Sequence, residues 1–414
     1  MGSNSHDCSG WTESGTDAPD DEGLCNQDGV TAAPLRSQAS MAVPGTPRAD
    51  AATSLAGTNS APDLNGNTGL TNTTPLTNTT PLLSSVELAR LNERRDGPGL
   101  KQLAFHGTVL LVGGLLWGLP LSGLPLSGLP LWGSATGLAI PWPLRLLGLA
   151  ILGLGLAFGF CAMHECGHRT AFASRGLNDG VAWWAGVLSF YNADFYRRYH
   201  QWHHRYTHLP GLDPELEDSP PTDLGSYLLE LSAIPWWIGK LRGHWAGLRG
   251  DFRGRPYIPT EAIPAVRRSI QLQMAVYGVL LLASIPGGNG LLFWLWLLPL
   301  ALAQPLLRFV MLAEHGGCPF VPDGLRNTRT TLTLAPLRWL MWQMPFHSEH
   351  HLYPSLPFHA LGRAHRHLAA GLEHCDQGYL RVHRGFLANL HGLALPQHSG
   401  ASMQASAAPA PGGG

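Results

Sequence analysis

The sequence predicts an all-α membrane protein in which four transmembrane helices form two hairpins beneath a cytoplasmic helical cap. Three observations predict this fold: four long uncharged apolar runs, a one-sided distribution of Lys and Arg, and histidine clusters beside the runs. Charged residues make up 13% of the 414 residues, which is about half the share usual in soluble proteins. The formal net charge of −1 gives no electrostatic basis for binding nucleic acid.

The chain divides into three segments by composition. Residues 1–83 are rich in Ser, Thr, Gly, Pro and Asn and contain Trp11 as their one aromatic residue. Such a segment cannot bury enough apolar surface to offset its ordering entropy, so we predict a disordered tail. Residues 84–385 form the predicted membrane domain, which opens with a short helix because Ser84 and Glu87 have capping-box spacing. Residues 386–414 are predicted to be a second disordered tail.

The four apolar runs are each close to the roughly 20 residues needed to cross the hydrocarbon core. They cover residues 104–124, 143–163, 269–286 and 291–312. A Pro- and Gly-rich repeat at residues 119–133 is a poor helix, which predicts a loop at the far membrane face. Apolar stretches at residues 181–191 and 226–239 are too short to cross and predict interfacial helices. A buried core helix would explain any single run, but four such runs favour a membrane protein.

The positive charges orient the chain in the membrane. The two hairpins between spans, near residues 120–143 and 287–290, contain no Lys or Arg. The segments before the first span, between the second and third, and after the fourth carry nearly all of them: Arg90, Arg94, Arg95, Lys101, Arg169, Arg197, Arg198, Lys240, Arg267, Arg268 and Arg326. By the positive-inside rule, these segments and both termini face the cytoplasm.

Nine of the 20 histidines lie in clusters next to the predicted spans. Box one is HECGH, box two is HQWHH, box three is HSEHH, and one further histidine follows the fourth span. Spacings of three and four residues place imidazoles on one side of a helix, where they can reach a common metal. An even number of crossings separates successive clusters, so all nine rings can meet on one membrane face. The candidate metal ligands are His164, His168, His200, His203, His204, His315, His347, His350 and His351.

A single HxxxH motif is also compatible with packing or pH sensing, whereas two HxxHH motifs on the same face favour metal ligation. Other histidines have simpler interpretations. His208 follows box two and is placed to support a ligand, whereas His359, His365 and His367 are expected on the solvated face of an amphipathic segment. Carboxylates within or beside the boxes are candidates to orient ligands: Glu165, Glu314 and Glu349, and also Asp213 and Glu215 unless these two are merely solvated.

The number of histidines helps to predict which metal is bound and how many ions there are. Imidazole suits Zn, Cu, Fe and Ni, so the ligand type alone does not choose among them. Nine ligands exceed the three protein ligands usual for a catalytic zinc. Two metals with four or five ligands each, and open positions for dioxygen, fit the number better. Iron is the natural redox choice for oxygen activation.

With these boxes the chain resembles the membrane fatty acid desaturase superfamily, whose pattern is HxxxH or HxxxxH, HxxHH and [HQ]xxHH across four spans. The resemblance covers roughly residues 100–375. It implies that the eight box histidines are di-iron ligands and that His315 occupies the place of a further ligand. The wording of box one is similar to acyl-lipid desaturases acting at the omega-3 or Δ12 region. The segment around box three, HHLYPSLPFH, also resembles carotenoid ketolases and hydroxylases.

The resemblance implies an enzyme that uses dioxygen and two electrons to introduce a double bond into a fatty acyl chain of a lipid. A carotenoid hydroxylase or ketolase is the alternative within the superfamily. No HPGG haem motif is present, so electrons are expected from a separate carrier, ferredoxin or a cytochrome b-type protein. Five tryptophans are candidates to line an acyl tunnel or to anchor the membrane interface: Trp183, Trp184, Trp236, Trp237 and Trp342.

Two other classes of protein also use clustered histidines in a membrane. A histidine-rich metal transporter predicts acidic or polar residues that line a route through the spans. The four runs contain no acidic residue, and their only Lys or Arg residues are Arg145 and Arg308 near the ends. A zinc-dependent membrane hydrolase would hold one zinc, whereas the desaturase interpretation expects two irons per chain.

Overall fold

The computed structural model describes residues 82–118, 140–285 and 290–393. Within these residues the chain forms helices joined by short loops, together with two short strands. The helices are α1 (Ser85–Leu91), α2 (Asp96–Gly118), α3 (Trp142–Gly167), α4 (Arg175–Ser189), α5 (Ala193–Tyr206), α6 (Leu224–Leu231), α7 (Ile234–Arg249), α8 (Ile263–Ser284), α9 (Leu298–His315), α10 (Ala335–Leu340), α11 (His347–Leu352), α12 (Phe358–Leu368) and α13 (Tyr379–Ala388).

Three helices of the described chain are long and apolar enough to cross a membrane: Asp96–Gly118, Trp142–Gly167 and Phe293–His315. The last consists of α9 preceded by a π-helical turn, Phe293–Leu297. Helix α2 begins before the predicted run, at Asp96, whereas the other two extend past the ends of theirs: α3 reaches Gly167, inside box one, and the third helix reaches His315. The repeat at residues 119–133 lies outside the described residues.

The predicted third span corresponds to α8, a continuous helix of 22 residues. Helix α8 is not apolar enough to count with the three helices above. Arg267, Arg268 and Gln273 in its first half lower its hydropathy, so the remaining apolar stretch is too short to cross a membrane. The described residues thus contain three candidate spans where four were predicted, and the fourth crossing remains a prediction.

Helix α3 lies at the centre of the membrane-spanning helices, and glycines bring its neighbours close to it. A Cβ atom on Gly113 of α2 would lie 2.5 Å from the backbone nitrogen of Leu152. A Cβ atom on Gly153 of α3 would lie 2.6 Å from the carbonyl oxygen of Pro299 in α9. Small residues at such contacts let helix backbones pack directly against one another, which is typical of helices in lipid.

We expect Gly153→Val to destabilise the protein, because the added carbons would push α9 away from α3. Overpacking of this kind lowers the melting temperature by on the order of 5 °C. Thermal denaturation followed by size-exclusion chromatography in detergent measures the shift. Gly114→Val on α2 is the matched control, since a Cβ atom there meets no atom within 4 Å. An unchanged midpoint for Gly153→Val would contradict the close α3–α9 contact.

The capping box at Ser84 is confirmed. The Ser84 hydroxyl accepts from the Glu87 N–H at 3.2 Å, and the Ser84 N–H donates to the Glu87 carboxylate at 3.0 Å. Leu83 and Leu91, on either side of this short helix, are buried in a cluster with Leu361 of α12. Helix α1 therefore packs on the cap that carries box three.

The two predicted interfacial stretches differ from the observed helices. The stretch at residues 181–191 is the second half of α4, whose N-terminus is capped by Ser174. The stretch at residues 226–239 is two helices, α6 and α7, separated at Ala233, which has a φ of 59°. The sequence pattern missed this break because apolar residues continue across it.

Two short strands were not predicted and modify the all-α description. Strand β1 (Thr330–Leu332) pairs in parallel with β2 (Cys375–Gln377), and Thr331 lies opposite Asp376. The pair joins the segment after α9 to the segment after α12. The boundary predicted at residue 385 falls inside α13, and a 3₁₀ turn at Leu390–Leu393 follows that helix.

Candidate metal centre

The three boxes and the ninth histidine lie on four different helices. His164 is in the last turn of α3, and His168 follows the end of that helix. Box two lies in the second half of α5, box three begins α11, and His315 is the last residue of α9. Boxes two and three have the predicted helical arrangement, whereas box one crosses a helix end because Arg169 adopts a left-handed φ of 59°.

The structure brings all nine predicted histidines together. In the first group, one ring nitrogen of each residue lies within 4.8 Å of the others: His164, His168, His200, His204 and His350. A second group, His203, His315 and His351, meets the same limit. His347 adjoins it, with its Nε2 atom 3.2 Å from that of His315. The groups touch where the rings of His204 and His351 stack with centroids 4.2 Å apart.

The ring nitrogens at the centre face one another without adequate partners. The Nε2 atom of His204 lies 3.0 Å from that of His200 and 3.1 Å from that of His350. A neutral imidazole nitrogen is one donor or one acceptor, so His204 cannot satisfy both neighbours. The Nε2 atoms of His164, His168, His203 and His351 are buried and have no hydrogen-bond partner among the described residues. Metal ions would satisfy these buried lone pairs, so the residues fit metal binding.

Neighbouring groups fix four of the rings through their other nitrogen. The Nδ1–H of His203 donates to Asp213 at 2.8 Å, and that of His164 donates to Glu165 at 3.1 Å. The Nδ1–H of His315 donates to the carbonyl oxygen of Asn327 at 3.0 Å. The hydroxyl of Thr207 donates to the carbonyl oxygen of His203, so it accepts from Nδ1–H of His351 at 3.1 Å. These bonds leave Nε2 as the nitrogen that faces the centre.

Burial keeps most of these imidazoles in the neutral form that binds metal. It lowers the pKa values of His200, His204, His347, His350 and His351. His203 is different: burial lowers its pKa, but the carboxylates of Asp213 and Glu215 outweigh that effect and raise the pKa to about 9. A metal at His203 must therefore displace a proton.

Two further carboxylates face the centre. Glu215 Oε2 lies 3.7 Å from Nε2 of His203, and Glu314 Oε2 lies 3.6 Å from Nε2 of His347. His200, His203 and Glu215 also form a group whose ligand atoms lie within 4.8 Å of one another. Asp213 is buried in the loop after α5, where its side chain also accepts from the N–H of His208 at 2.6 Å. The interpretation of Asp213 and Glu215 as merely solvated is therefore wrong.

Two predicted roles beside box three do not match the structure. Glu349 is fully buried, but its carboxylate accepts from the Thr330 hydroxyl at 2.6 Å and from His365 at 2.5 Å, and neither partner is one of the nine ligand candidates. His365 was expected on a solvated face, yet its side chain is only 12% exposed. The two hydrogen bonds of Glu349 stabilise α11 by linking it to β1 and α12. His367, by contrast, is exposed as predicted.

His208 belongs to neither ligand group, although its ring centroid lies 5.8 Å from that of His315. Its Nδ1 atom bonds the carbonyl oxygen of Pro319 at 3.0 Å, and its ring stacks on Phe320 with centroids 4.3 Å apart. Its main chain, which donates to Asp213, is the part that supports box two.

An aromatic wall beside box two was missed from the sequence. Tyr196 is buried, and its ring stacks on His200 with centroids 5.1 Å apart. Tyr191 packs against Tyr196, and its hydroxyl accepts from Trp236 and from Arg308, each at 2.9 Å. The position of Tyr196 four residues before His200 on α5 was the available signal, because residues four apart share a helix face.

The five tryptophans have different surroundings. Trp236 donates a hydrogen bond to the Tyr191 hydroxyl, and Trp237 lies beside Phe190 with ring centroids 5.3 Å apart.

The other three tryptophans lie elsewhere. Trp342 is fully buried and donates to the ring of His106 on α2 at 3.2 Å. Trp183 and Trp184 pack edge to face on α4, and Trp184 is exposed. None of the five lies in ring contact with the nine histidines.

Fold and site together define a helical protein in which a buried histidine cluster, able to hold metal, lies beside three helices able to cross a membrane. The family model named Fatty acid desaturase matches residues 140–383, which include all nine histidines. The chain therefore belongs to the fatty acid desaturase family, and the resemblance seen in the sequence is confirmed. The family and the three apolar helices identify an integral membrane protein.

Several proteins of this family are similar to the chain. An sn-1 oleoyl-lipid 12-desaturase of Anabaena variabilis is 27% identical over 249 residues, which cover 57% of this chain and 59% of the relative. A sphingolipid delta(4)-desaturase/C4-monooxygenase of Rattus norvegicus is 28% identical over 213 residues, 49% of this chain and 60% of the relative. An sn-1 oleoyl-lipid 12-desaturase of Arthrospira platensis is 30% identical over 129 residues, 28% of this chain and 35% of the relative. The chain thus matches at most about three-fifths of these relatives' length.

Proposed function

We propose that this protein is a membrane di-iron desaturase that introduces a double bond into a fatty acyl chain of a lipid. The observation that carries the proposal is the convergence of nine histidines, most of them buried, whose ring nitrogens face one another and of which four have an Nε2 atom without a hydrogen-bond partner among the described residues. The similarity to desaturases acting on oleoyl lipids and sphingolipids supports the substrate class. The reaction consumes one dioxygen, two electrons and two protons, removes two hydrogens from adjacent carbons, and yields two waters.

The ligands divide between two irons according to the two groups. His164, His168, His200, His204 and His350 would hold one iron, and His203, His315, His347 and His351 would hold the other. When bound, the irons would supply the activation of dioxygen that breaking an unactivated C–H bond requires.

The protein's own residues prepare this centre. Asp213, Glu165 and Thr207 fix the rings of their partner histidines, so the Nε2 atoms of these rings already face the centre before metal arrives. The cluster is largely buried, which limits water at the centre. Tyr196 and Phe160 close the side of the site next to His164. An acyl chain must be held firmly against the centre, because orientation decides which carbon reacts.

The proposed topology has four crossings, with α8 as the third. The boxes and both termini then face the cytoplasm, as the distribution of positive charge supports. A soluble carrier, ferredoxin or a cytochrome b-type protein, would deliver the electrons from that side.

A second candidate is hydroxylation by the same centre, as in a carotenoid hydroxylase or ketolase. The observation that favours it is the rat relative, whose name combines desaturase and C4-monooxygenase activities. Hydroxylation inserts one oxygen atom into a C–H bond and reduces the other to water, and it needs the same two electrons and two protons.

Expression of the full chain in a host with a simple lipid composition tests both candidates. Gas chromatography of the fatty acids and chromatography of the pigments are expected to reveal a new double bond in an acyl chain. A variant carrying both His203→Ala and His204→Ala is expected to yield no new product. A hydroxylated or ketolated product instead would support the second candidate. A new double bond that persists in the double variant would overturn the assignment of these ligands.

A further inference from the structure

Helices α2, α3 and α4 enclose an apolar groove of about 350 Å³ away from the histidines. Residues along one face of each helix line this groove. They include Gly107 and Leu110 of α2, Gly159 and Ala162 of α3, and Gly180 of α4. We call this the α2–α4 groove. Its volume is within the range typical of small-molecule sites.

The α2–α4 groove offers almost no hydrogen-bonding side chain. Among its lining residues, His106 and Trp184 carry the only polar side-chain atoms. Both nitrogens of His106 are engaged, Nε2 with the carbonyl oxygen of Gly155 at 2.8 Å and Nδ1 with Trp342 at 3.2 Å. Trp184 is 58% exposed, so its indole N–H belongs to the rim. A polar ligand would lose its hydration there without compensation, whereas a hydrocarbon chain would not.

The α2–α4 groove is separate from the candidate metal centre. None of the nine histidines lines it. Ala162, the last groove residue of α3, precedes His164 by two residues, and residues two apart on an α-helix project in nearly opposite directions. The α3 backbone therefore lies between the groove and the histidines.

We propose that the α2–α4 groove binds one acyl chain of a bilayer phospholipid, which is distinct from the chain that reacts. The groove lies between α2 and α3, both long and apolar enough to cross the membrane, so its surroundings are lipid hydrocarbon. Glycines of all three helices line the groove, and because they have no side chain a flexible hydrocarbon chain can pack directly against the helix backbones there. The bound chain packs on His106, whose other side holds Trp342 and so links α2 to the segment preceding box three.

Photolabelling tests the site. The purified full chain is reconstituted in phosphatidylcholine vesicles with a small fraction of phosphatidylcholine that carries a diazirine on one acyl chain. Irradiation, digestion and mass spectrometry then locate the label. We expect the label on groove residues such as Leu110 and Leu177, above the level on exposed α8 residues such as Leu282.

Two variants fill the groove from different helices. A Cβ atom on Gly107 or Gly180 meets no atom within 4 Å, so Gly107→Leu and Gly180→Leu can extend into the groove without a clash at Cβ. Each is expected to lower groove labelling about tenfold, since excluding two methylene groups is enough for that change. Gly114→Leu is the matched control: its position on α2 is also open, it lies outside the groove, and labelling should be unchanged.

Equal labelling of the wild type and both filled variants would overturn the proposal, as would label spread evenly over all lipid-exposed helices. Displacement of the label by excess acyl substrate, together with loss of turnover in the filled variants, would assign the groove to the reacting chain and also overturn it. The variant with His203→Ala and His204→Ala should keep wild-type groove labelling. That result separates failure of the lipid site from failure of the proposed activity.

Discussion

Replacing His204 with Ala is expected to remove most of the bound iron and to lower product formation more than a hundredfold. His204 lies where the two histidine groups meet, because its Nε2 atom contacts those of His200 and His350 and its ring stacks on His351. Loss of an outer partner of a ligand typically costs 10–100-fold, so loss of this ring should cost more than about a hundredfold. Plasma mass spectrometry measures iron per chain, and lipid analysis measures the product.

His367→Ala is the control for His204→Ala. The His367 side chain is 45% exposed and pairs with Glu87 of α1, and His367 belongs to neither ligand group. This variant should keep the iron and the activity of the wild type. The ligand assignment is wrong if His204→Ala binds as much iron as His367→Ala does. Zinc in place of iron in the active wild type would exclude the di-iron proposal.

Replacing Asp213 with Ala should lower iron affinity and product formation by roughly 10–100-fold. The Asp213 side chain accepts three hydrogen bonds, from the His203 ring and from the backbone N–H groups of His208 and Glu215. Without them, the His203 ring is free to rotate and the loop after α5 loses its turn. Asp213→Asn keeps an acceptor but no charge, so its loss should be intermediate. Iron titration of the metal-free protein measures the affinity.

Asp218→Ala is the matched control for Asp213→Ala, because Asp218 lies in the same loop and is exposed. It should titrate with iron like the wild type. Equal losses in the two variants would show that the loop as a whole matters and that the bond to His203 does not.

The sequence could predict the nine histidines because each box is a local pattern. On α5 and α11 the spacing of three and four residues by itself places the rings on one side. The even number of predicted crossings between boxes then placed all nine on one membrane face. The structure brings the rings together: the ring nitrogens lie within 4.8 Å of one another in each of two groups, which contain eight of the nine histidines.

The partners of the histidines could not be predicted in the same way, because they come from other segments. Asn327 orients His315 through a backbone carbonyl, which every residue possesses and no motif reveals. Glu349 lies inside box three yet faces away, because the rotation of α11 is set by its contacts with β1 and α12. Proximity in sequence suggested a role that the three-dimensional packing does not give.

The membrane helices could likewise be predicted only in part from the sequence. Composition identified α2, α3 and α9, whose apolar runs are long and uninterrupted. It was less informative for α8, where arginines and glutamines share a helix with apolar residues. The two strands could not be predicted from the sequence, because three residues are too few to show an alternating pattern of apolar and polar side chains.

The order of the boxes along the chain has a consequence for biosynthesis. His164 and His168 are synthesised first, whereas His350 and His351 follow almost two hundred residues later, and β2 completes the pairing with β1 only at residue 377. A nascent chain that has already inserted α2 and α3 therefore exposes an incomplete set of imidazoles. The proposed metal centre can therefore be loaded only after residue 351 has been synthesised, and a chain truncated before residue 350 would lack two of its candidate ligands.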